Sequence, residues 1–321
     1  MKEYIIGKNE AGQRFDKYIF KLLKNAGTGL IFKQLRNKNI VLNGKKAKGN
    51  EILKENDSVR IFMSDDTINK FTGGPLHISK TGFRLDVIYE DDDILLASKP
   101  VGVLSQKSSD KDISMNEYLI EYLTDNGFDK ESLATFKPSF CNRLDRNTSG
   151  LMIAGKSLRG LQKMSEIIKD RSIHKFYLTI VKGIVDKKSV IKGYLRKDEK
   201  NNKVVIYDNP VKDSYEIHTE YEPLATKDDM TLLKVRLITG KTHQIRAHLA
   251  GISHPVLGDF KYGDKVFNEK YGEKKQLLHS YQVVFPKLDD FPDISEKSFN
   301  TPYPVNFTKY FKETILSNQI Y

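Results

Sequence analysis

The chain of 321 residues contains a single cysteine, Cys141. One thiol excludes an internal disulfide and any zinc site that is built from pairs of cysteines. No apolar run approaches the roughly 20 residues that a membrane span requires. The N-terminal stretch MKEYIIGKNEAGQRFDKYI lacks the apolar core and the cleavage site of a signal peptide. These absences predict a protein of the reducing cytoplasm without a membrane partner.

Several sequence motifs of catalysis are also missing. The chain has neither a GxxxxGK(S/T) phosphate-binding loop nor a GxSxG nucleophile elbow, so nucleotide hydrolysis is unsupported. His243 and His248 are five positions apart with no glutamate between them. They do not form the helical i, i+4 pair of a zinc protease, and we interpret them as ordinary structural or surface histidines. We therefore expect neither a metal nor a cofactor.

Acidic residues are fewer than basic ones, 42 against 53, which gives a formal net charge of +11. This excess favours polyanionic partners, namely RNA, DNA or an anionic membrane surface. The apolar and charged fractions are typical of a soluble globular protein, and the length suffices for one large domain or two smaller ones.

Residues 12–62 are predicted to form a compact unit with two short helices, a hairpin and a closing strand. Asn43-Gly44 is typical of a tight hairpin turn, and DSVRIF alternates as a strand should. Apolar side chains recur at helical spacing in two places: Phe15, Tyr18, Ile19, Leu22 and Leu23, then Leu30, Ile31 and Leu35.

The basic residues of this unit cluster on or beside the second helix and the hairpin. They are Lys33, Arg36, Lys38, Lys45, Lys46 and Lys48. The stretches GQRFDKYI and IVLNGKKAK resemble the S4 domain, a small RNA-binding module. That resemblance implies that the cluster binds RNA, whereas the residues alone would also suit a solvated surface.

The remainder of the chain is predicted to form a linker and a second domain. Residues 63–83 are polar, contain Gly73-Gly74-Pro75 and show no sustained period, which indicates a flexible tether. In residues 84–321, strands outnumber helices and short connections separate many of them. We therefore predict an α+β fold, in which this second domain is built on a mixed, mainly antiparallel sheet with flanking helices.

One carboxylate, Asp145, lies between Arg143 and Arg146 in NRLDRNTSG, just before the apolar strand LMIAGKS. A carboxylate paired with arginine stays ionised near neutral pH and can act as a nucleophile or a base. A glycosidase would need two cooperating carboxyl groups, and Asp259 in HPVLGDFKYG is only a weak second candidate. From these residues alone, a structural salt bridge remains the alternative.

Taken together, five stretches resemble the ordered motifs of the RluA-type pseudouridine synthases, especially the ribosomal members that carry an S4 domain. They are VIYEDDDILLASKPVGVLSQ, NRLDRNTSG, KFYLTIVKG, TGKTHQIRAHLAGISHPVLGDFKYG and LLHSYQVVFP. The resemblance extends from residue 12 to about residue 287. The chain departs from the usual pattern at Asn142, where the family commonly has His, and at Lys241, where Arg is common.

The resemblance implies that the protein isomerises uridine in RNA: the C1′–N1 bond breaks, the base rotates, and C5 bonds to C1′. Asp145 is implied as the catalytic carboxylate, Arg246 as its partner and Tyr177 as the ring that stacks on the uracil. Arg143 is implied to fill the space that the flipped uridine leaves, and Ile245 to contact the base. Whether Asp145 attacks C1′, attacks the base or removes a C2′ proton stays open.

The expected partner is RNA, most simply 23S large-subunit ribosomal RNA, and the protein is expected to act as a monomer. Transfer RNA is the alternative substrate. A different alternative is a non-catalytic RNA-binding or ribosome-assembly protein on the same scaffold, which would keep the basic surface and lose the catalytic set.

Overall fold

The structure, a computed structural model, describes residues 1–73, 80–130 and 132–318. Gly74-Pro75 of the predicted linker therefore lies outside the described residues. Within the described ranges, no helix combines the length and the apolar character that crossing a membrane would need.

The N-terminal unit contains a four-stranded antiparallel sheet with the strand order β1-β4-β2-β3. Its elements along the chain are β1 (Lys2–Ile5), α1 (Phe15–Leu22), α2 (Thr28–Arg36), β2 (Ile40–Leu42), β3 (Lys45–Lys46), β4 (Ser58–Ile61) and α3 (Asp65–Thr72). The predicted helices, hairpin and closing strand are confirmed. Asn43 and Gly44 both have positive φ, as the tight turn between β2 and β3 requires.

The N-terminal unit extends beyond the predicted bounds at both ends. Strand β1 precedes residue 12 and pairs with β4. Helix α3 lies in the stretch that we predicted to be a linker without regular structure. The Ser64 hydroxyl caps this helix, Gly73 ends it in a left-handed conformation, and Ile68 is buried in the core of the unit. A single buried residue on one short helix is too little to produce a helical period in the sequence.

The end of the predicted linker contacts the larger part of the chain. The Thr81 N–H donates to a carboxylate oxygen of Glu121 at 2.9 Å, and the Phe83 ring stacks on Tyr118 with 4.1 Å between the ring centroids. The N-terminal unit makes its own contact as well, because Thr135 Oγ1 donates to Glu10 Oε1 at 3.0 Å. The structure thus differs from the simple tether that the sequence indicated.

The larger part is one sheet flanked by helices. Its strands are β5 (Asp86–Glu90), β6 (Ile94–Lys99), β7 (Ser139–Phe140), β8 (Ser149–Gly155), β9 (His174–Lys182), β10 (Ser189–Asp198), β11 (Lys203–Tyr207), β12 (Tyr215–Lys227), β13 (Met230–Leu237), β14 (Leu278–Val284) and β15 (Ser298–Asn300). Its helices are α4 (Met115–Asp125), α5 (Leu158–Lys169), α6 (Gln244–Gly251), α7 (Lys265–Tyr271) and α8 (Val305–Asn318), with a 3₁₀ helix at Ser132–Ala134.

In the described residues this sheet has eleven strands, and its main path is β11-β10-β12-β13-β9-β14-β8-β6-β5. Strand β15 pairs with β14, and β7 pairs with β8. Every pairing is antiparallel except β14 with β8, where His279 lies opposite Ser149. The predicted mixed, mainly antiparallel sheet with flanking helices is confirmed.

Strand β9 at the middle of the sheet contributes to two cores. Tyr177 and Val181 belong to the core on one face, whereas Leu178 and Ile180 belong to the core on the other. This is the alternation that a strand with both faces covered must have. The alternation places the Tyr177 side chain on the face of the sheet where the Asp145 loop lies, just before β8.

The parallel contact between β8 and β14 depends on Gly150. This glycine has φ +106, and a β-carbon there would clash with the backbone of Ser280. Only glycine combines that conformation with so close a backbone approach. The contact fixes where β8 begins, and therefore where the preceding Asp145 loop ends.

Candidate active site

The loop that carries Asp145 connects β7 to β8 and is held by hydrogen bonds along its length. The buried Asn142 side chain accepts from Ile153 N–H at 2.8 Å. Ser105 Oγ donates to the Leu144 carbonyl at 2.8 Å and accepts from Leu144 N–H at 2.9 Å. Asn142, which replaces the usual His, therefore supports the backbone of the loop.

Lys99 supports the same loop from the end of β6. Its fully buried ammonium group donates to the carbonyls of Pro100, Val103 and Arg146 at 2.8–3.0 Å. Burial lowers the pKa of Lys99 to about 8, although the charge of Asp145 opposes the shift. Nothing in the sequence indicated this role, because the carbonyls that Lys99 binds belong to separate loops.

Arg246 of α6 links Asp145 to Asp259. Its Nη1 donates to Asp145 Oδ2 at 2.7 Å, while Nε and Nη2 donate to the two oxygens of Asp259 at 2.7 and 2.8 Å. Burial alone would lower the pKa of Arg246, but the two carboxylates outweigh it and raise this pKa. Burial would likewise raise the pKa of Asp259, and Arg246 reverses that effect. Both groups are therefore charged, and Arg246 is fixed in orientation.

Asp145 remains available for chemistry in this arrangement. Its side chain is 25% exposed, so the paired carboxylate still reaches the pocket. Only Oδ2 is bound by Arg246, and Oδ1 accepts no hydrogen bond within the described part of the chain. A carboxylate held by one oxygen and open at the other is suited to nucleophilic attack or proton removal.

One small pocket brings the predicted site residues together. Its volume is about 60 Å³, and its lining includes Arg143, Asp145, Tyr177, Ile245 and Arg246. Arg143 is exposed, whereas Ile245 is buried. Burial raises the pKa of Tyr177 to about 12, with a hydrogen bond to Ser280 opposing and the charge of Asp145 adding to this effect. The phenol is therefore neutral, and it presents an uncharged ring to the pocket.

His243 also lines the pocket, although we interpreted it as an ordinary histidine. The Tyr262 hydroxyl accepts from Val204 N–H at 2.8 Å and hydrogen-bonds to His243 Nδ1 at 2.9 Å. The other ring nitrogen of His243, Nε2, lies 3.8 Å from Asp145 Oδ2. Burial lowers the pKa of His243, and the negative charge of Asp145 opposes this lowering only in part. A neutral imidazole ring thus lies beside the carboxylate.

Lys241, which stands where the family commonly has Arg, lies on the pocket wall. Its Nζ is 3.8 Å from the centroid of the Tyr215 ring, a cation–π contact. Its backbone N–H donates to the buried Gln244 side chain at 3.1 Å. The charge that Arg would provide is thus retained and is held against an aromatic ring.

The basic cluster of the N-terminal unit lies on α2, on β3 and in the segments that follow them. All members of the cluster are exposed: Lys33, Arg36, Lys38, Lys45, Lys46 and Lys48. They lie on neighbouring elements of one small unit, so their charges add on its surface.

Comparison with known proteins decides the family. The model of the family described as RNA pseudouridylate synthase matches residues 93–251, which include Asp145, Tyr177 and Arg246. An uncharacterized RNA pseudouridine synthase of Mycoplasma genitalium is 31% identical over 304 residues, which cover 92% of this chain and 93% of that protein. The chain belongs to the RNA pseudouridine synthase family, and within it to the RluA type.

Other members of the pseudouridine synthase family match over most of the chain. The ribosomal large subunit pseudouridine synthase C of Pasteurella multocida is 28% identical over 295 residues, 89% of this chain and 86% of that protein. The solved human RNA pseudouridylate synthase domain containing 4 has a TM-score of 0.57 at 20% identity and covers 72% of this chain and 92% of its own. The structural match shows a shared fold, and family membership makes this protein an isomerase that acts on RNA.

Proposed function

We propose that this pseudouridine synthase modifies large-subunit ribosomal RNA and that Asp145 is its catalytic carboxylate. The observation that carries the assignment of Asp145 is its single-sided pairing: Arg246 holds Oδ2 at 2.7 Å while the carboxylate still reaches the pocket. The ribosomal target is supported by relatives that are named ribosomal large subunit pseudouridine synthase C.

The reaction is an isomerisation, so its atoms balance within the nucleotide. The C1′–N1 bond breaks, C5 bonds to C1′, and the proton lost from C5 is balanced by the proton gained at N1. Asp145 can act by attack on C1′, by attack on the base or by removal of a C2′ proton. Each route needs a carboxylate of fixed direction, and Arg246 supplies that direction by holding Asp145 Oδ2.

The other pocket residues are proposed to receive a uridine that has left the RNA stack. Tyr177 offers a neutral ring for stacking on the uracil, and Ile245 offers an apolar contact at the pocket wall. Arg143 is exposed beside the pocket and is proposed to occupy the space that the flipped uridine leaves.

We also propose that the N-terminal unit is an S4-like RNA-binding domain. Its exposed basic cluster would contact phosphates, which supply affinity without reading sequence. The protein is further proposed to act as a monomer. With ribosomal RNA as the substrate, the place of action is proposed to be the cytoplasm.

Tritium release tests the substrate and the activity together. Purified protein is incubated with fragments of large-subunit ribosomal RNA that carry uridine tritiated at C5, and released tritium is counted. Pseudouridine mapping of ribosomal RNA from a deletion strain then identifies the position. Pseudouridines that are missing only from transfer RNA in that strain would overturn the ribosomal assignment.

A further inference from the structure

A turn at residues 259–262 lies beside the pocket and carries an exposed aromatic ring. On one side of Phe260, Asp259 binds Arg246. Tyr262, two residues after Phe260, hydrogen-bonds through its hydroxyl to His243. The centroid of the Tyr262 ring is 5.2 Å from the Arg246 guanidinium. Both flanking residues thus contact the active site, whereas Phe260 is 68% exposed.

The backbone around Phe260 is held by hydrogen bonds. Asp259 Oδ1 accepts from the N–H groups of Lys261 and Tyr262 at 2.8 and 3.2 Å, and the Asn268 side chain donates to the Asp259 carbonyl at 3.1 Å. Asp259 itself is almost fully buried. A ring on a fixed support loses little conformational freedom when a ligand stacks on it, so little of the binding free energy is spent on ordering.

Two lysine residues lie on or near the turn that carries Phe260. Lys261 follows Phe260 directly, and its Nζ donates to the Asn202 carbonyl at 2.6 Å, in the turn between β10 and β11. Lys203, the first residue of β11, adds a second positive charge near Lys261. An exposed ring with lysines beside it is the surface that single-stranded nucleic acids use, because the bases stack while the phosphates meet the cations.

We propose that Phe260 stacks on a nucleobase next to the target uridine in the RNA strand. Flipping the uridine out removes a stacking partner from its neighbour, and an exposed ring on the turn that contacts Arg246 and His243 replaces that partner. The inference rests on the proposed function and deepens it, since it assigns a single-stranded flanking nucleotide to a defined residue. Stacking is tolerant of base identity, so Phe260 contributes affinity more than sequence preference.

The test compares Phe260→Ala with the wild type on an RNA fragment from which the wild type releases tritium. The dissociation constant is measured on the intact fragment and on fragments with one abasic nucleotide at each position flanking the uridine. For Phe260→Ala we expect binding weakened by roughly 5- to 150-fold, the range of base–aromatic stacking. The slope of log K against log[salt] stays unchanged, because the substitution leaves every phosphate interaction in place.

Two variants serve as controls. Val266→Ala removes another exposed apolar side chain, 77% exposed on α7, and should bind RNA like the wild type. Phe260→Tyr keeps an aromatic ring and should retain most of the affinity. Because the Phe260 ring is exposed, thermal unfolding of Phe260→Ala should match that of the wild type.

The abasic fragments decide between stacking and other effects. If Phe260 stacks on the flanking base, removing that base weakens wild-type binding but not the binding of Phe260→Ala. An equal loss in both proteins at every flanking position, or unchanged affinity of Phe260→Ala, overturns the proposal. If the wild type released tritium from transfer RNA alone, the ribosomal target would be refuted. The Phe260 proposal would then be tested by the same binding titrations on that transfer RNA.

Discussion

Asp259 binds the Arg246 guanidinium through both of its carboxylate oxygens, at 2.7 and 2.8 Å, in a nearly fully buried contact. This bidentate pair leaves one Arg246 nitrogen to hold Asp145. Asp259 was only a weak candidate for a second acid in the sequence. In the structure it acts through Arg246 and is a positioning residue.

Asp259→Asn should lower turnover by about 100-fold or more, because Arg246 loses its fixed direction and Asp145 is misplaced. Leaving a buried arginine with an incomplete partner should also lower the free energy of unfolding by about 3–5 kcal/mol. The measurements are tritium release at saturating RNA and urea denaturation. Asp229→Asn, which breaks the exposed ion pair with Lys270, is the control and should change neither quantity appreciably. Wild-type turnover in Asp259→Asn would show that the bidentate contact is dispensable.

Asp145→Asn preserves the shape of the side chain and removes its charge. Turnover should vanish, while the dissociation constant for RNA changes little, because the affinity comes from phosphate contacts elsewhere. Tritium release and filter binding on the same RNA fragment separate the two effects. Substantial pseudouridine formation by the purified variant would remove Asp145 from its proposed role.

His279 should make the free energy of unfolding of the protein decrease as the pH falls. Its ring lies between Ser149 Oγ at 2.8 Å and Thr301 Oγ1 at 2.6 Å, and burial lowers its pKa to about 3. The unfolded chain then binds more protons than the folded one as the pH falls from about 6.5 toward 3. The stabilising contribution is complete above pH 6.5 and is lost across this range, at up to about 1.4 kcal/mol per pH unit.

The check is urea denaturation of the wild type and His279→Gln at several pH values within that range. The substitution itself can lower the free energy of unfolding at pH 8 by a constant amount. The comparison is therefore between the slopes of the free energy of unfolding against pH. The wild type should lose stability more steeply with acid than His279→Gln. Equal slopes for the two proteins would mean that folding does not lower the pKa of His279.

The basic cluster of the N-terminal unit should contribute to RNA affinity by contacting phosphates. Replacing Lys33, Arg36, Lys45 and Lys46 by Ala should weaken RNA binding and leave turnover at saturating RNA intact. The slope of log K against log[salt] should flatten by roughly 0.7 to 0.9 for each phosphate that the variant no longer neutralises. Lys265→Ala with Lys287→Ala removes exposed charge from the larger part of the chain and is the control. Equal affinities and slopes for all three proteins would mean that the cluster is ordinary solvated surface.

The sequence by itself determined the features that depend on local periodicity. Helical spacing predicted α1 and α2, and the alternation of DSVRIF predicted β4. The charged loop around Asp145, directly before an apolar strand, was also visible without coordinates. Burial of one face imposes these patterns on neighbouring residues, so a single sequence displays them.

Only the tertiary structure decided how distant groups pair. It paired Asp259 with Arg246, directed the Lys99 ammonium to the carbonyl of Arg146, and placed the neutral imidazole of His243 beside Asp145. These contacts join separate loops and helices, and each partner alone resembles an ordinary charged or polar residue. Their specificity lies in distance and direction, which the packing of the sheet and its flanking helices creates and which no local spacing records.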